Sequence, residues 1–264
     1  MTLHSAPHST SDTATLSMAE ALLSCVPTVY SKFMMSSTPL KMVSSMATRE
    51  VLAELASQYQ RTTLQAVIAE AAGGVDIAKR VQAGEAVDVV VLASDAIDKL
   101  IAEGKLLAGS RVDIVKSGVA VAVRAGANWP AIDSEAAVTR AVLAAKTLSY
   151  STGPSGVYLE KMFARWGILD DIRNRIVVPP PGVPVASLVA DGRAELGFQQ
   201  LSELMNRPGI DVIGPLPPAI QSVTTFSGGI ATACRQPEAA RALLAYLASP
   251  AAATVKQHFG MHSA

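Results

Sequence analysis

An α/β protein of two lobes, each a mostly parallel sheet flanked by helices, is the architecture the sequence predicts. Three observations carry it. From residue 39 onward, short runs rich in Val, Ile and Leu alternate with amphipathic helical stretches. Several of the runs, DVVVLA at 88–93 above all, are apolar throughout, as strands covered on both faces must be. The alternation then occurs twice over stretches of similar size, which suggests two units with a crevice where their strand C-termini meet.

The elements follow in order. Residues 40–44 (LKMVS) predict a strand, and 48–59 a helix with Val51, Leu52, Leu55 and Tyr59 on one face. Strands are expected at 64–69 and 88–93, with helices at 75–83 and 95–103, the latter opened by Ser94 as N-cap. Residues 119–123 (VAVAV) form the next strand, 134–145 a helix, 147–150 a strand and 155–166 a helix. A strand at 176–178 ends at a triple proline, followed by a helix at 185–191 and a strand at 196–199. Residues 211–213 lead through a Pro-rich stretch to a strand at 228–234, and helices at 237–247 and 250–259 close the chain.

Residues 1–38 read as a disordered leader, its first part rich in Ser, Thr and His. The stretch 18–30 is apolar enough to suggest a signal peptide, but no Lys or Arg precedes it and Asp12 and Glu20 are acidic. Secretory signals need a basic n-region, so the sequence as written predicts a cytoplasmic protein. Translation starting at Met34 or Met35 would remove that stretch altogether.

Composition excludes much chemistry. With 22 basic and 22 acidic residues and no Lys/Arg cluster, neither nucleic acid nor an anionic membrane is an expected partner. The longest uncharged run, 212–234, is broken by prolines, so no membrane insertion is expected. Cys25 and Cys234 are too few for a disulfide framework. All four histidines, His4, His8, His258 and His262, lie within eight residues of an end. Ser-His-Asp triads, Cys-His pairs and HExxH zinc sites therefore lack their central residue, and no metal or cofactor is expected.

Three strand-to-helix turns carry hydroxyls or glycines: Ser44-Ser45-Met46-Ala47-Thr48, Gly73-Gly74-Val75-Asp76 and Ser151-Thr152-Gly153-Pro154-Ser155-Gly156. Free N–H groups at a helix start attract anions. Ordinary capping and tight turns explain the same residues equally well. Arg49 lies in the first turn of its helix, where a cation is disfavoured, so it is either a ligand contact or a partner of Glu50 or Glu54. Gln199 and Gln200 end a strand and can meet a ligand or cap the next helix.

The motifs VSSMATREVLAELASQY, IAKRVQAGEAVDVVVLASDAIDKLIAEGKL, SGVAVAV, GPSGVYLEKMFARWGI and DGRAELGF occur in that order between residues 41 and 234. In them the chain resembles the molybdate-binding protein family of ABC importers, with the type 2 periplasmic-binding fold. The resemblance implies two lobes joined by two crossover strands, residues 39–117 with 224–264 and residues 118–223. It implies a small anion held without metal or cofactor by Ser44, Ser45, Thr48, Arg49, Gly73, Gly74, Ser151, Ser155, Gly156, Gln199 and Gln200. An ABC permease would be the partner and the periplasm the family's location. The family's second serine is Gly73-Gly74 here, and its return-strand tyrosine aligns with Gln200. Two hydroxyls for a tetrahedral oxyanion are thus missing, which suits a di- or tricarboxylate. One branch of the family resembles aconitate isomerase, a cofactor-free proton-shifting isomerase. That chemistry needs a base near neutral pKa, for which Glu70, Asp76, Tyr150 and Lys79 are the candidates.

Overall fold

In the computed structural model, which describes residues 38–180 and 182–264, strand β1 (Leu40–Ser45) lies parallel to β2 (Val67–Ala72) and β3 (Val89–Ala93). Helices α1 (Arg49–Thr63), α2 (Gly74–Gln82) and α3 (Ser94–Ala102) follow these strands in turn. All of β3 is buried: Val89 and Val91 pack with Leu52, Leu55 and Leu244, while Val90 and Leu92 pack with Ile77 and Ile97 on the opposite face. Each such side chain stabilises by roughly 1.5–3 kcal/mol on leaving water. Two-sided burial is why this strand is apolar at every position.

Strand β4 (Val112–Arg124) serves two halves of the sheet. Its first part pairs antiparallel with β8 (Val223–Ile230), which also pairs with β3. Its second part pairs with β6 (Leu196–Gln200) and β7 (Ile210–Pro215), and β6 runs parallel to β5 (Leu148–Tyr150). The resulting order is β2-β1-β3-β8-β4-β6-β5. Helices α4 (Glu135–Ala144), α5 (Pro154–Arg165), α6 (Leu169–Ile172), α7 (Val185–Ala190), α8 (Leu201–Leu204), α9 (Pro237–Ala248) and α10 (Ala253–His258) complete the chain, with a two-residue β9 (His262–Ser263) on β4.

The buried side chains divide where β4 changes partners. Two clusters draw on residues 40–115 and 226–261, and two on residues 119–220. Along β4, Val119, Val121 and Val123 face the cluster holding Leu159 and Phe163, whereas Ala120 and Ala122 face Val185 and Val189 of α7. Small residues on that face let α7 sit close. A Cβ at Gly197 would lie 2.5 Å from Val189 Cγ2.

Several expected elements differ, each for a local reason. The strand expected at 64–69 is β2, three residues later, because Leu64 adopts φ 61° and closes α1 through its N–H to Gln60 O. Ser94 is not a cap: it is the first residue of α3, whose N-cap, Ala93, has no side-chain bond to offer. Residues 176–178 form no strand, only a bridge from Ile176 to Leu148. The strand expected at 228–234 is β8, five residues earlier, and residues 231–234 turn away. The helix expected at 250–259 is a 3-10 turn, Pro250–Ala252, followed by α10. The chain end is not frayed: Met261 is buried and His262 pairs with Lys116. Apart from Thr38, the expected leader and the apolar stretch 18–30 lie outside the described residues. Among those described, no helix is long and apolar enough to cross a membrane.

Candidate functional site

Parallel pairing brings the first two turns together. Ser45 is in register with Ala72, so Gly73 and Gly74 emerge beside it. A Cβ at Gly74 would lie 3.8 Å from Ser45 Oγ and 3.7 Å from Leu92 Cδ2. Within the first turn, Ser44 is buried and donates to Glu70 O (3.4 Å), and Thr48 is buried and donates to Ser45 O (3.0 Å). Ser45 is partly exposed; its Oγ accepts from Ala47 N (3.4 Å) and keeps its own O–H to donate. Asp76 belongs to the same rim: its Oδ2 would stand 2.9 Å from a Cβ at Gly73, which puts a carboxylate on the start of α2. Arg49 is 55% exposed and approaches Glu50 at 3.7 Å.

The third turn is built tightly. Ser151 Oγ and Ser155 Oγ are 2.9 Å apart, with Ser155 buried at the start of α5 and Ser151 partly open. Pro154 fits the first helical position, where no N–H is needed. Gly156 is required, because a Cβ there would lie 1.5 Å from Ser151 O.

β6 delivers both glutamines to the same edge, Tyr150 being in register with Phe198. Gln199 donates to Glu203 Oε1 (2.8 Å) and Gln200 to Thr224 Oγ1 on β8 (2.8 Å); both are buried. In this conformation each glutamine braces the framework and leaves its Oε1 without a partner among the described residues. Past β6, Ser202 Oγ donates to Ala47 O (2.8 Å), so the C-terminal end of β6 meets the turn that follows β1. Gln221 holds the crossover nearby: its Oε1 accepts from Val119 N (2.8 Å) and its Nε2 donates to Val119 O (3.0 Å).

Of the expected bases, Glu70 is paired with Arg80 at 2.6 Å, and that hydrogen bond holds its carboxyl below the usual carboxylate range. Burial raises the Tyr150 phenol. Asp76 and Lys79 are exposed on α2. The group with a near-neutral carboxyl is one the motifs did not single out. Glu203 keeps part of its surface in solvent, yet the protein packed around it pushes its carboxyl up to about 7, against the pull of Gln199 and Arg207.

A consequence for stability follows. A folded-state value above the unfolded one means extra proton binding by the native state between about pH 4.5 and 7. The corresponding stability is complete below that window and lost as pH rises through about 7. Discounted for partial exposure, the loss is about 2 kcal/mol. Chemical denaturation across this range should find Glu203→Gln flatter with pH than the wild type. Equal slopes would show that Glu203 is not the group responsible.

Two cavities open elsewhere, about 220 Å³ beside Glu85, Glu103 and Lys105 and about 360 Å³ beside Trp129, Pro130 and Glu195; neither touches these turns.

Residues 40–262 match the family of bacterial extracellular solute-binding proteins. The chain belongs to this family. Among its relatives, an aconitate isomerase from a Pseudomonas species is 37% identical over 252 residues, 94% of this chain and 95% of that protein. The molybdate-binding protein of Azotobacter vinelandii is 29% identical over 222 residues, 78% of this chain and 83% of that protein. The solved structure of the Azotobacter vinelandii periplasmic molybdate-binding protein superposes with a TM-score of 0.71 at 21% identity, covering 84% and 98% of the two chains. PEB3 with bound L-phospholactate superposes with a TM-score of 0.66 at 15% identity, covering 85% and 100%. This solute-binding protein has the type 2 periplasmic-binding fold that its resemblance implies.

Proposed function

We propose that this solute-binding protein closes two lobes, residues 39–117 with 224–264 and residues 118–223, over a small organic anion. The division of the buried clusters at β4 supports these boundaries. The ligand is a di- or tricarboxylate rather than a tetrahedral metal oxyanion, and the protein delivers it to an ABC permease on the outer side of the membrane. The observation that carries the ligand class is the rim beside Ser45, where Gly73 and Gly74 offer backbone N–H groups and no hydroxyl and Asp76 adds only a carboxylate. A buried oxyanion without matching donors is strongly penalised. Ser45, Gly74, Ser151 and the start of α5 are the proposed contacts. A second reading, an isomerase of polycarboxylic acids, is favoured by the 37% identity to an aconitate isomerase along nearly the whole chain.

A thermal-shift screen over molybdate, sulfate, phosphate, citrate, cis-aconitate and trans-aconitate tests the proposal. A ligand at a hundredfold over its Kd adds about 2.7 kcal/mol, or roughly 5–10 °C for a chain of this size. The shift is expected with citrate or an aconitate and not with molybdate. A shift with molybdate alone would reverse the ligand class. NMR of the aconitates with the protein then separates binding from interconversion.

A further inference from the structure

We propose that Glu203 is the proton-bearing group of the anion site and takes up a proton when a carboxylate ligand binds; this rests on reading the cleft as an anion site. Glu203 stands on α8, directly after β6, with its Oε1 held by Gln199 Nε2 at 2.8 Å. Its neighbour Ser202 bonds the Ala47 carbonyl, inside the turn that carries Ser45. The carboxyl is therefore held by Gln199 at the end of β6, one residue from the side chain that bonds the turn carrying Ser45.

Few charges oppose or support it. On its own segment, Arg207 donates Nε to the Glu203 backbone carbonyl (3.2 Å) and points Nη2 at Glu50 (3.4 Å), whose carboxylate Arg49 also approaches. From β4 and α7, the side chains clustered with Leu204 of α8 are apolar: Ala120, Ala122, Leu188 and Val189. The C-terminal turn packs Gly260 on Leu201 and Met205, and its nearest histidines in sequence are His258 and His262. Arg207 is thus drawn towards Glu50 rather than paired with the Glu203 carboxylate, and burial leaves that carboxyl titrating near neutrality. A second negative charge entering the cleft disfavours the ionised form further, because two close carboxylates do not both stay charged in a poorly solvated site. Once protonated, Glu203 is a hydrogen-bond donor. Its O–H then adds a donor at the end of β6, beside Gln199.

Calorimetry with trans-aconitate, whose carboxyls are ionised throughout, from about pH 6 to about pH 9 reads this directly. Wild-type affinity is expected to fall about tenfold per pH unit above about 7, with one proton taken up per ligand when buffers of different ionisation heat are compared. Glu203→Gln should keep the affinity seen at low pH within a few-fold and lose the slope, while Glu203→Asp retains a slope. A wild type that binds with no pH dependence, or a Glu203→Gln protein with the same slope, overturns the proposal alone. Failure of trans-aconitate, citrate and sulfate to bind the wild type at any pH overturns the anion reading and the proposal together.

Discussion

Replacing Gly156 by alanine should destabilise the protein by at least about 3 kcal/mol and weaken ligand binding by a factor of a hundred or more. The added methyl would sit 1.5 Å from the Ser151 carbonyl oxygen and 2.7 Å from its carbon, both backbone atoms. No rotamer change relieves that overlap; the turn itself has to open. Overpacking in a closed site costs about 1–3 kcal/mol when side chains give way, and more when the backbone must. The same movement would pull Ser155 from Ser151 and swing the start of α5 away from the proposed anion site. Gly153→Ala is the control, since its methyl would be 3.9 Å from Ser151 Oγ, an ordinary contact. In urea unfolding, Gly156→Ala should lower the midpoint at an unchanged slope, and Gly153→Ala should stay within about 1 kcal/mol of wild type. Equal stability of the two variants would mean that the turn yields freely.

The second large effect runs the other way. Lys256 on α10 is 0% exposed, and its Nζ has no hydrogen-bond partner among the described residues. A buried donor left unsatisfied costs about 1–3 kcal/mol, and desolvation lowers its pKa as well. Lys256→Met keeps the chain as far as Cε and removes the amine, so stability at pH 7 should rise by about 2 kcal/mol, roughly 4–8 °C in melting temperature. The pH dependence gives a second check. Because the native value lies below the unfolded one, the unfolded chain binds more protons between the two, and wild-type stability should climb with pH up to about 10.4. In the methionine variant that climb disappears. A lowered melting temperature would show that the ammonium has a native partner, such as a bound anion.

How far the sequence reveals this molecule can be judged from particular residues. Strand β3 was legible because every side chain in it is apolar and buried. The first part of β4 was not, since Asp113 and Lys116 interrupt the pattern. Yet Asp113 is satisfied by Arg111 (3.0 Å) and Ser227 (2.6 Å), and Lys116 points to solvent. While a ligand role for them had equal weight with plain capping, the three turns were legible as turns, because Ser, Gly and Pro favour the ends of strands and the starts of helices. Which of their hydroxyls remain open was not, because the burial of Ser44, Thr48 and Ser155 depends on what packs over them. Glu203 carried no local signal at all. Its unusual carboxyl is produced by the surrounding packing.

The position of β8 between β3 and β4 also sets an order of assembly during synthesis. Residues 119–220, whose clusters draw on one continuous stretch, can fold as soon as they leave the ribosome. The half containing β1, β2 and β3 cannot. Its sheet has an open slot until residues 223–230 arrive, and its cluster around Leu244 and Leu247 waits longer still. Between the synthesis of β4 and that of β8, roughly 100 residues of chain, the nascent protein therefore carries the unpaired edges of β3 and β4, which invite pairing with other chains. Holding those edges apart from other nascent chains until the last helices emerge is a task for the cell's folding machinery, set by where one strand is encoded.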